Sequence, residues 1–222
     1  MSTPYTVKSE LQKCINRLNK FTGKEDKTLT QAINSVMGYT ELEYIQCTGT
    51  QYINTEVLTK DTLKCECKFK TTEKKMLFGA RESSAKNGLI FGYFSGSNAY
   101  IGFGGPTTQK ATTIECADGN IHTVILSNTE YKIDGENQVE ISRGSFTDQY
   151  EIYLGTWNNA NTADARRFIG NIYYFKIYDN DTLIREFIPV VDKNGIVCMY
   201  DKVNEKFYYN AGTGEFSYEE EE

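Results

Sequence analysis

The stretch FIGNIYYFKIYDNDTLIREFIP, residues 168–189, holds two runs of β-branched and aromatic residues, Ile169 to Tyr178 and Leu183 to Ile188. Between them stand Asp179-Asn180-Asp181, residue types that tolerate the left-handed backbone of a tight turn. The pattern predicts a β-hairpin. Alternation within the first run is imperfect, because Ile172 falls on the opposite parity from Phe175 and Ile177. Either a bulge near Gly170-Asn171 re-aims the strand, or both of its faces are covered. A strand apolar on both faces is central to a sheet or packed in a sandwich.

Outward from this hairpin, the chain from Tyr39 onward reads as strand and turn throughout. Strands are predicted near 42–47, 51–57, 61–70, 75–80, 88–94, 99–104, 110–116, 121–128, 130–134, 138–142, 150–157, 168–178, 183–188, 196–201 and 206–210. Turn clusters such as Ser95-Gly96-Ser97-Asn98, Asp118-Gly119-Asn120 and Asp134-Gly135-Glu136-Asn137 separate them. Strands at intervals of about a dozen residues with such punctuation predict a two-sheet sandwich. Their number exceeds an immunoglobulin-type sandwich and fits a jelly roll of the lectin kind. Within residues 76–104, Gly repeats beside aromatics, either relieving crowding beneath the rings or marking a bend.

Residues 9–38 differ in kind. Leu11, Ile15, Leu18 and Phe21 recur at helical spacing up to the break at Thr22-Gly23. Thr28 can cap a second run in which Leu29, Ala32, Ile33, Val36 and Met37 share a face, ended by Gly38. The reading is a short N-terminal α-helical hairpin, residues 1–38, ahead of a β-sandwich, residues 39–218, and an acidic tail, residues 219–222. Two short helices cannot bury their apolar stripes against each other alone. They lie on their own β domain, or they attach the chain to a partner or to copies of itself as a homo-oligomer.

Composition narrows the classes of function. Hydrophobic residues make up 39% and charged residues 24% of 222 residues, as in an ordinary globular protein, but 16 Tyr and 12 Phe stand against one Trp. Tyrosine suits half-buried strands and also surfaces that meet sugars or proteins. The net charge is −6 and the basic residues are dispersed, which argues against nucleic acid as a partner. The run Glu219 to Glu222 reads as a solvated, frayed end. The six cysteines form no C-x-x-C pair, and Cys65 and Cys67 share one strand face, so reduced, buried thiols are expected rather than disulfides or zinc ligands. The Met1 to Tyr5 start carries no signal-peptide core, and no stretch approaches a membrane span. Folding in a reducing cytoplasm, with no membrane partner, is the expectation.

The hairpin, followed by Gly195-Ile196-Val197-Cys198-Met199-Tyr200-Asp201-Lys202 and by Phe207-Tyr208-Tyr209-Asn210-Ala211-Gly212-Thr213-Gly214-Glu215-Phe216, resembles the end of laminin-G-like domains of the concanavalin A type. Glu43-Tyr44-Ile45-Gln46-Cys47-Thr48-Gly49-Thr50-Gln51-Tyr52-Ile53-Asn54-Thr55 is similar to their first strands. The nearest likeness is to domains encoded by phages and prophages of gut bacteria, and residues 9–38 resemble short helical pieces near the N-termini of tailed-phage tail and baseplate proteins. The resemblance implies a mainly β, concanavalin A-like jelly-roll sandwich. It also implies a non-enzymatic virion component, made in the bacterial host cytoplasm. Its helices would join other virion proteins, and its sandwich would touch a host cell-surface glycan. A purely structural or cementing role without sugar binding is the alternative, and a glycan hydrolase a third. Calcium serves laminin-G and lectin relatives, but no ligand set maps onto this chain, so no cofactor and no metal residues are assigned.

Glucanases of this fold set two Glu and one Asp along one strand as E-x-D-x-E or E-x-D-x-x-E, so that the carboxylates share a cleft. The nearest match is Tyr131-Lys132-Ile133-Asp134-Gly135-Glu136, with Lys132 in the nucleophile's place. Asp134-Gly135 reads better as a type I′ turn. His122 is the sole histidine and lies within a predicted strand, and no G-x-S-x-G elbow is present. Gly102-Phe103-Gly104-Gly105-Pro106 lacks the Lys and following helix of a phosphate loop. No catalytic residues are assigned.

For binding, the candidate is the loop from Trp157 to Arg167, with Trp157, Asn158, Asn159, Asn161, Asp164 and Arg166 as the ligand-binding set. Asn and Asp can read sugar hydroxyls or ligate calcium, and an exposed Trp can stack on a pyranose. The other reading is a plain polar loop with Trp157 buried at a strand end. The 81–87 loop, from Arg81 to Asn87, is a second rim candidate.

Overall fold

The computed structural model describes residues 38–83, 87–95, 98–104, 108–111, 114–138, 140 and 144–219. The expected helical hairpin, with Leu11, Ile15, Leu18, Phe21, Leu29, Ile33 and Val36, lies outside these residues.

The described strands, in chain order, are β1 (Tyr39–Glu41), β2 (Ile45–Thr48), β3 (Ile53–Lys60), β4 (Leu63–Lys70), β5 (Met76–Arg81) and β6 (Asn87–Ser95). They continue with β7 (Asn98–Phe103), β8 (Thr108–Ala111), β9 (Ile121–Ser127), β10 (Tyr131–Ile133), β11 (Glu136–Asn137) and β12 (Thr147–Leu154). The last are β13 (Asn158–Asn159), β14 (Thr162–Ala163), β15 (Ile169–Asp179), β16 (Thr182–Asp192), β17 (Val197–Asp201) and β18 (Lys206–Tyr208). One sheet runs β11-β10-β9-β4-β15-β16-β17-β18, with β1 beside β16 and β2 beside β15. The other runs β3-β12-β5-β6-β7-β8 and takes the hairpin β13–β14 through a short parallel pairing of β13 with β5.

The chain is thus a mainly β, two-sheet sandwich, and the hairpin of residues 168–189 supplies the middle of its first sheet. Asp179 pairs with Thr182, leaving Asn180 and Asp181 as a two-residue turn at φ 46° and 62°. Both left-handed values fit the type I′ turn that matches strand twist. The parity conflict at Ile172 is resolved by a bulge, displaced from Gly170-Asn171. Pairing with β4 slips between Ile172 and Tyr174, so Tyr173 is the extra residue. One inserted residue flips the remainder of the strand, and Ile172, Phe175 and Ile177 all reach the core at 1% exposure or less. Gly170 precedes the bulge at φ 142°, where a Cβ would strike the carbonyl oxygen of Lys70.

The two sheets meet through rings. Phe78 of β5 lies 5.1 Å from Phe175 of β15, and Phe91 of β6 lies 6.3 Å from both Phe69 of β4 and Tyr131 of β10. Each fully buried ring of this kind contributes about 1.5–3 kcal/mol by removal from water. Cys47, Cys65, Cys67, Cys116 and Cys198 are free and buried. Burial pushes the thiols of Cys47, Cys65 and Cys67 up, and that of Cys198 up to about 12. The two ends of the chain that carry the family resemblance are wired together. Ile45 to Thr48 pair with Ile172 to Ile169, and the Gln46 N–H donates to the Ser217 carbonyl at 2.7 Å. The Asn210 carboxamide oxygen accepts from the N–H groups of Tyr52 and Gly212 at 3.1 and 2.8 Å.

Several strand boundaries differ from expectation; β16, for one, runs on to Asp192 rather than ending at 188. In place of a strand over 110–116, β8 covers Thr108–Ala111, and Ile114 to Asn120 form bends in which the Gly119 N–H donates to Thr71. The last strand stops at Tyr208 because the Asn210 side chain competes for backbone donors. The β region opens earlier, with Tyr39–Glu41 paired to Val190–Asp192. The turn at Asp134-Gly135 is as expected, with φ 51° and 83° and Ile133 opposite Glu136.

Candidate functional site

The loop from Trp157 to Arg167 carries the hairpin β13–β14, which joins the second sheet through β5, and its Trp157 packs on the side of that sheet away from the main core. There Met76, Ile90 and Trp157 make a small cluster separate from the main core, each at 0% exposure, with Tyr100 packed edge-on to the indole at 6.0 Å. The guanidinium of Arg81 lies 3.9 Å from the centre of the indole and that of Arg166 lies 5.3 Å from it. Both are then fixed by the loop's own polar groups. Arg81 Nε donates to Asn159 Oδ1 at 2.9 Å, and Arg166 grips Asp164 with Nε and Nη2 at 2.7 and 2.6 Å. Burial raises the Asp164 carboxyl, but hydrogen bonds from the Arg166 side chain and backbone and from the Trp157 indole outweigh it, holding the group below the usual carboxylate range.

This geometry corrects the expectation of a sugar platform. Trp157 is completely covered and offers no open ring face to a pyranose. Asn158 is buried too, donating to the Glu151 carbonyl at 3.0 Å and accepting from the Asn161 N–H at 2.7 Å. The structure does bring Trp157, Asn158, Asn159, Asp164 and Arg166 together, as a packed plug rather than a receptive surface. Asn161 alone of the expected set is exposed, on a turn with Ala160 at φ 50° and Asn161 at 66°. Arg81 heads the second rim candidate, and its role as a lid on Trp157 has no signal in sequence spacing.

The groups weighed for catalysis are also engaged internally. His122 Nδ1 lies 2.7 Å from Asp134 Oδ2 and Nε2 lies 3.0 Å from Asp118 Oδ1. Each carboxylate also accepts a backbone N–H, Asp134 from Thr123 and Asp118 from Asn120, both at 2.8 Å. Burial lowers the imidazole's proton affinity, but the two carboxylates outweigh it and raise His122 above its ordinary value. Lys132 pairs with Glu130 at 2.7 Å. Among the described residues no group of three or more His, Cys, Asp or Glu is placed to hold a metal ion, and no helix is long and apolar enough to cross a membrane.

An open surface exists on the other side of the molecule, the outer face of the first sheet. In β4, Lys64, Glu66, Lys68 and Lys70 alternate with Leu63, Cys65, Cys67 and Phe69, which are 1% exposed or less. Register sets Tyr178 opposite Lys64, Lys176 opposite Glu66 and Tyr174 opposite Lys68. Ammonium groups sit near rings: Lys64 is 4.8 Å from Tyr178, Lys68 is 5.2 Å from Tyr173 and Lys176 is 4.9 Å from Tyr174. Tyr44 extends this row beside Tyr173, with ring centres 5.6 Å apart. Toward β17 the face turns apolar, as Tyr39, Val190, Cys198 and Tyr200 cluster with Ile188 and Phe207. Phenol hydroxyls and lysines in rows can hold hydroxyl-rich or anionic groups. Sequence reasoning missed this face, although the period-two alternation of LKCECKFK carries its signal in the polar half.

No family model matches the chain, and no curated protein matches it. Among solved structures it is similar to the mouse laminin alpha1 chain, domains LG4-5, at 17% identity and a TM-score of 0.46 over 65% of this chain and 44% of that one. The chain therefore spans less than half the length of that structure.

Proposed function

We propose that this chain is a non-enzymatic component of a phage or prophage particle, acting by contact alone. In this reading its sandwich is a laminin-G-like, concanavalin A-type jelly roll displayed for adhesion to a host surface or its glycans. Residues 1–38 join it to other virion proteins. The observation that carries the reading is the open Lys and Tyr face of the first sheet, furnished with aromatic and cationic groups. The engagement of His122, Asp134 and Lys132 in internal bonds supports the non-enzymatic half.

The burial of Trp157 favours a second reading, a structural or cementing virion protein without sugar binding, since the most specific sugar-facing group is closed off. A glycan array probed with and without calcium separates the two. Signal that disappears in the Tyr173→Ala, Lys68→Gln double variant supports adhesion, and silence across host cell-wall sugars favours the cementing role. Deleting residues 1–38 should abolish incorporation into particles; unchanged incorporation overturns the attachment role.

A further inference from the structure

We propose that a cleft at one end of the first sheet takes a single neutral sugar residue, the end of a glycan chain, through its hydroxyls. The cleft measures about 240 Å³, below the range of about 300–1,000 Å³ for pockets that take larger ligands, and so is sized for one ring. Sheet order builds it. β4 lies between β9 and β15, so the turns β3–β4, β9–β10 and β15–β16 emerge side by side. Lys64 stands between them, opposite Ser127 on one side and Tyr178 on the other.

The walls are held by bonds of their own, which lowers the ordering cost of binding. The Asn180 N–H donates to the Thr62 carbonyl at 3.1 Å and the Thr62 hydroxyl to Asp179 Oδ1 at 2.6 Å, tying two of the turns together. Ser127 Oγ accepts from the N–H groups of Thr129 and Glu130 at 3.2 and 2.9 Å, closing the third. Two side chains on the lining stay uncommitted. The Asp61 carboxylate and the Asn128 carboxamide make no hydrogen bond and no ion pair among the described residues.

Charge then selects the ligand. Lys64 pairs with Asp181 and Lys132 with Glu130, both at 2.7 Å, which leaves Asp61 as the uncompensated charge on the lining. It repels an anion, and among the described residues no three carboxylates are placed to hold a metal ion. Neutral hydroxyls suit it: a carboxylate accepts from two neighbouring hydroxyls, and the Asn128 carboxamide supplies both a donor and an acceptor. Lys64 also belongs to the open face, 4.8 Å from the Tyr178 ring, so a glycan whose last ring sits in the cleft continues onto that face. The cleft's part in adhesion rests on the reading of that face as a glycan surface, while sugar binding in the cleft can be measured without it.

The test is saturation-transfer difference NMR on the full chain, with the methyl glycosides of glucose, galactose, mannose and N-acetylglucosamine as probes. A dissociation constant of about 1 mM is expected for at least one of them, weakened about tenfold in the double variant Asp61→Ala, Asn128→Ala and unchanged in Tyr173→Ala, Lys68→Gln. The first variant keeps the main-chain bonds of its turns, among them that from the Asp61 N–H to the Phe146 carbonyl at 3.1 Å, and should melt as the parent does. No transfer to any of the four, equal affinity in the parent and the Asp61, Asn128 variant, or tighter binding of methylammonium than of any glycoside overturns the proposal. Binding that the first variant loses, alongside a silent glycan array, sinks the adhesion reading and leaves the cleft standing. Array signal that survives Asp61→Ala, Asn128→Ala but not Tyr173→Ala, Lys68→Gln does the reverse.

Discussion

Both outer faces of the sandwich carry aromatic and cationic side chains, yet they do opposite things. On the second sheet, Trp157, Arg81, Arg166 and Tyr100 close over Met76 and Ile90 and are locked by Asn159 and Asp164. On the first, Tyr44, Tyr173, Tyr174 and Tyr178 stand in rows with lysines and remain partly open. An aromatic ring beside a guanidinium or ammonium therefore does not by itself mark a binding surface. What separates the faces is whether the cations beside the rings are locked over them. Arg81 and Arg166, held by Asn159 and Asp164, cover Trp157 and turn a potential platform into a secondary core.

The strongest way to break this contrast is to remove the ring at the centre of the sealed face. Trp157→Ala should destabilise the fold by about 3–5 kcal/mol, the range for truncating a buried large aromatic. At about 2–4 °C per kcal/mol for a chain of this size, the melting temperature should fall by roughly 6–20 °C. Thermal unfolding followed by circular dichroism reads it directly. A loss within 1 kcal/mol would mean that the plug is not a core at all and that the two faces differ less than their burial suggests.

A smaller effect is expected at His122, which clips two loops of the first sheet rather than filling space. His122→Gln should cost about 2 kcal/mol, as for loss of hydrogen bonds to charged partners. The pH dependence has a defined sign. The folded-state affinity of His122 for its proton is raised, so its contribution is complete below about pH 6.5, the ordinary imidazole value, and is lost as pH rises through the folded value. The Asp118 carboxyl is shifted the opposite way, chiefly by the His122 hydrogen bond, so its contribution holds above about pH 3.9 and is lost as pH falls further. Stability should peak between these limits and decline above neutrality, and the decline should flatten in His122→Gln. A parent profile that rises from pH 6.5 to 8 would contradict the doubly bonded imidazolium.

Much of this architecture was legible from local chemistry. The turns at Asn180-Asp181 and Asp134-Gly135 arise from residues that accept left-handed backbone, and the core face of β4 arises from strict alternation. The bulge was legible as a conflict of parity, but not its position. Tyr173 becomes the extra residue only through the register of β15 against β4, a pairing between segments far apart in sequence. The candidate site was half legible for the same kind of reason. Of the two readings of the loop from Trp157 to Arg167, the one with a buried Trp157 fits, and part of what covers the indole, Arg81, comes from another strand. The open rows on the first sheet were written in alternating Lys and Glu, a pattern that a solvated strand face also produces.

Strain within the sealing hairpin gives a third, smaller handle. Ala160 occupies the first turn position at φ 50°, where a side chain without a polar group gains nothing to offset the left-handed penalty. Ala160→Asn should stabilise the protein by about 0.5–1 kcal/mol, because Asn is favoured in type I′ turns. The gain should vanish in a Trp157→Ala background if β13–β14 is then no longer seated, and a double-mutant cycle measures that coupling.

The smallest effect belongs to the open face. Lys68 and Lys70 lie on a strand whose opposite side is fully packed, so changing them leaves the core and the ladder intact. Lys68 keeps only its position near the Tyr173 ring, and no ion pair among the described residues is broken. The double variant Lys68→Gln, Lys70→Gln should therefore shift stability by less than about 0.5 kcal/mol in urea titration, with an unchanged slope. Its signal on a host glycan array should nonetheless be lost. That separation, a face whose groups are dispensable for folding but not for contact, is the reverse of what Trp157 predicts, where loss of the ring and loss of the fold arrive together. A destabilisation above about 1 kcal/mol in the lysine variant would place these rows in the fold's own support and leave the molecule with two structural faces instead of one.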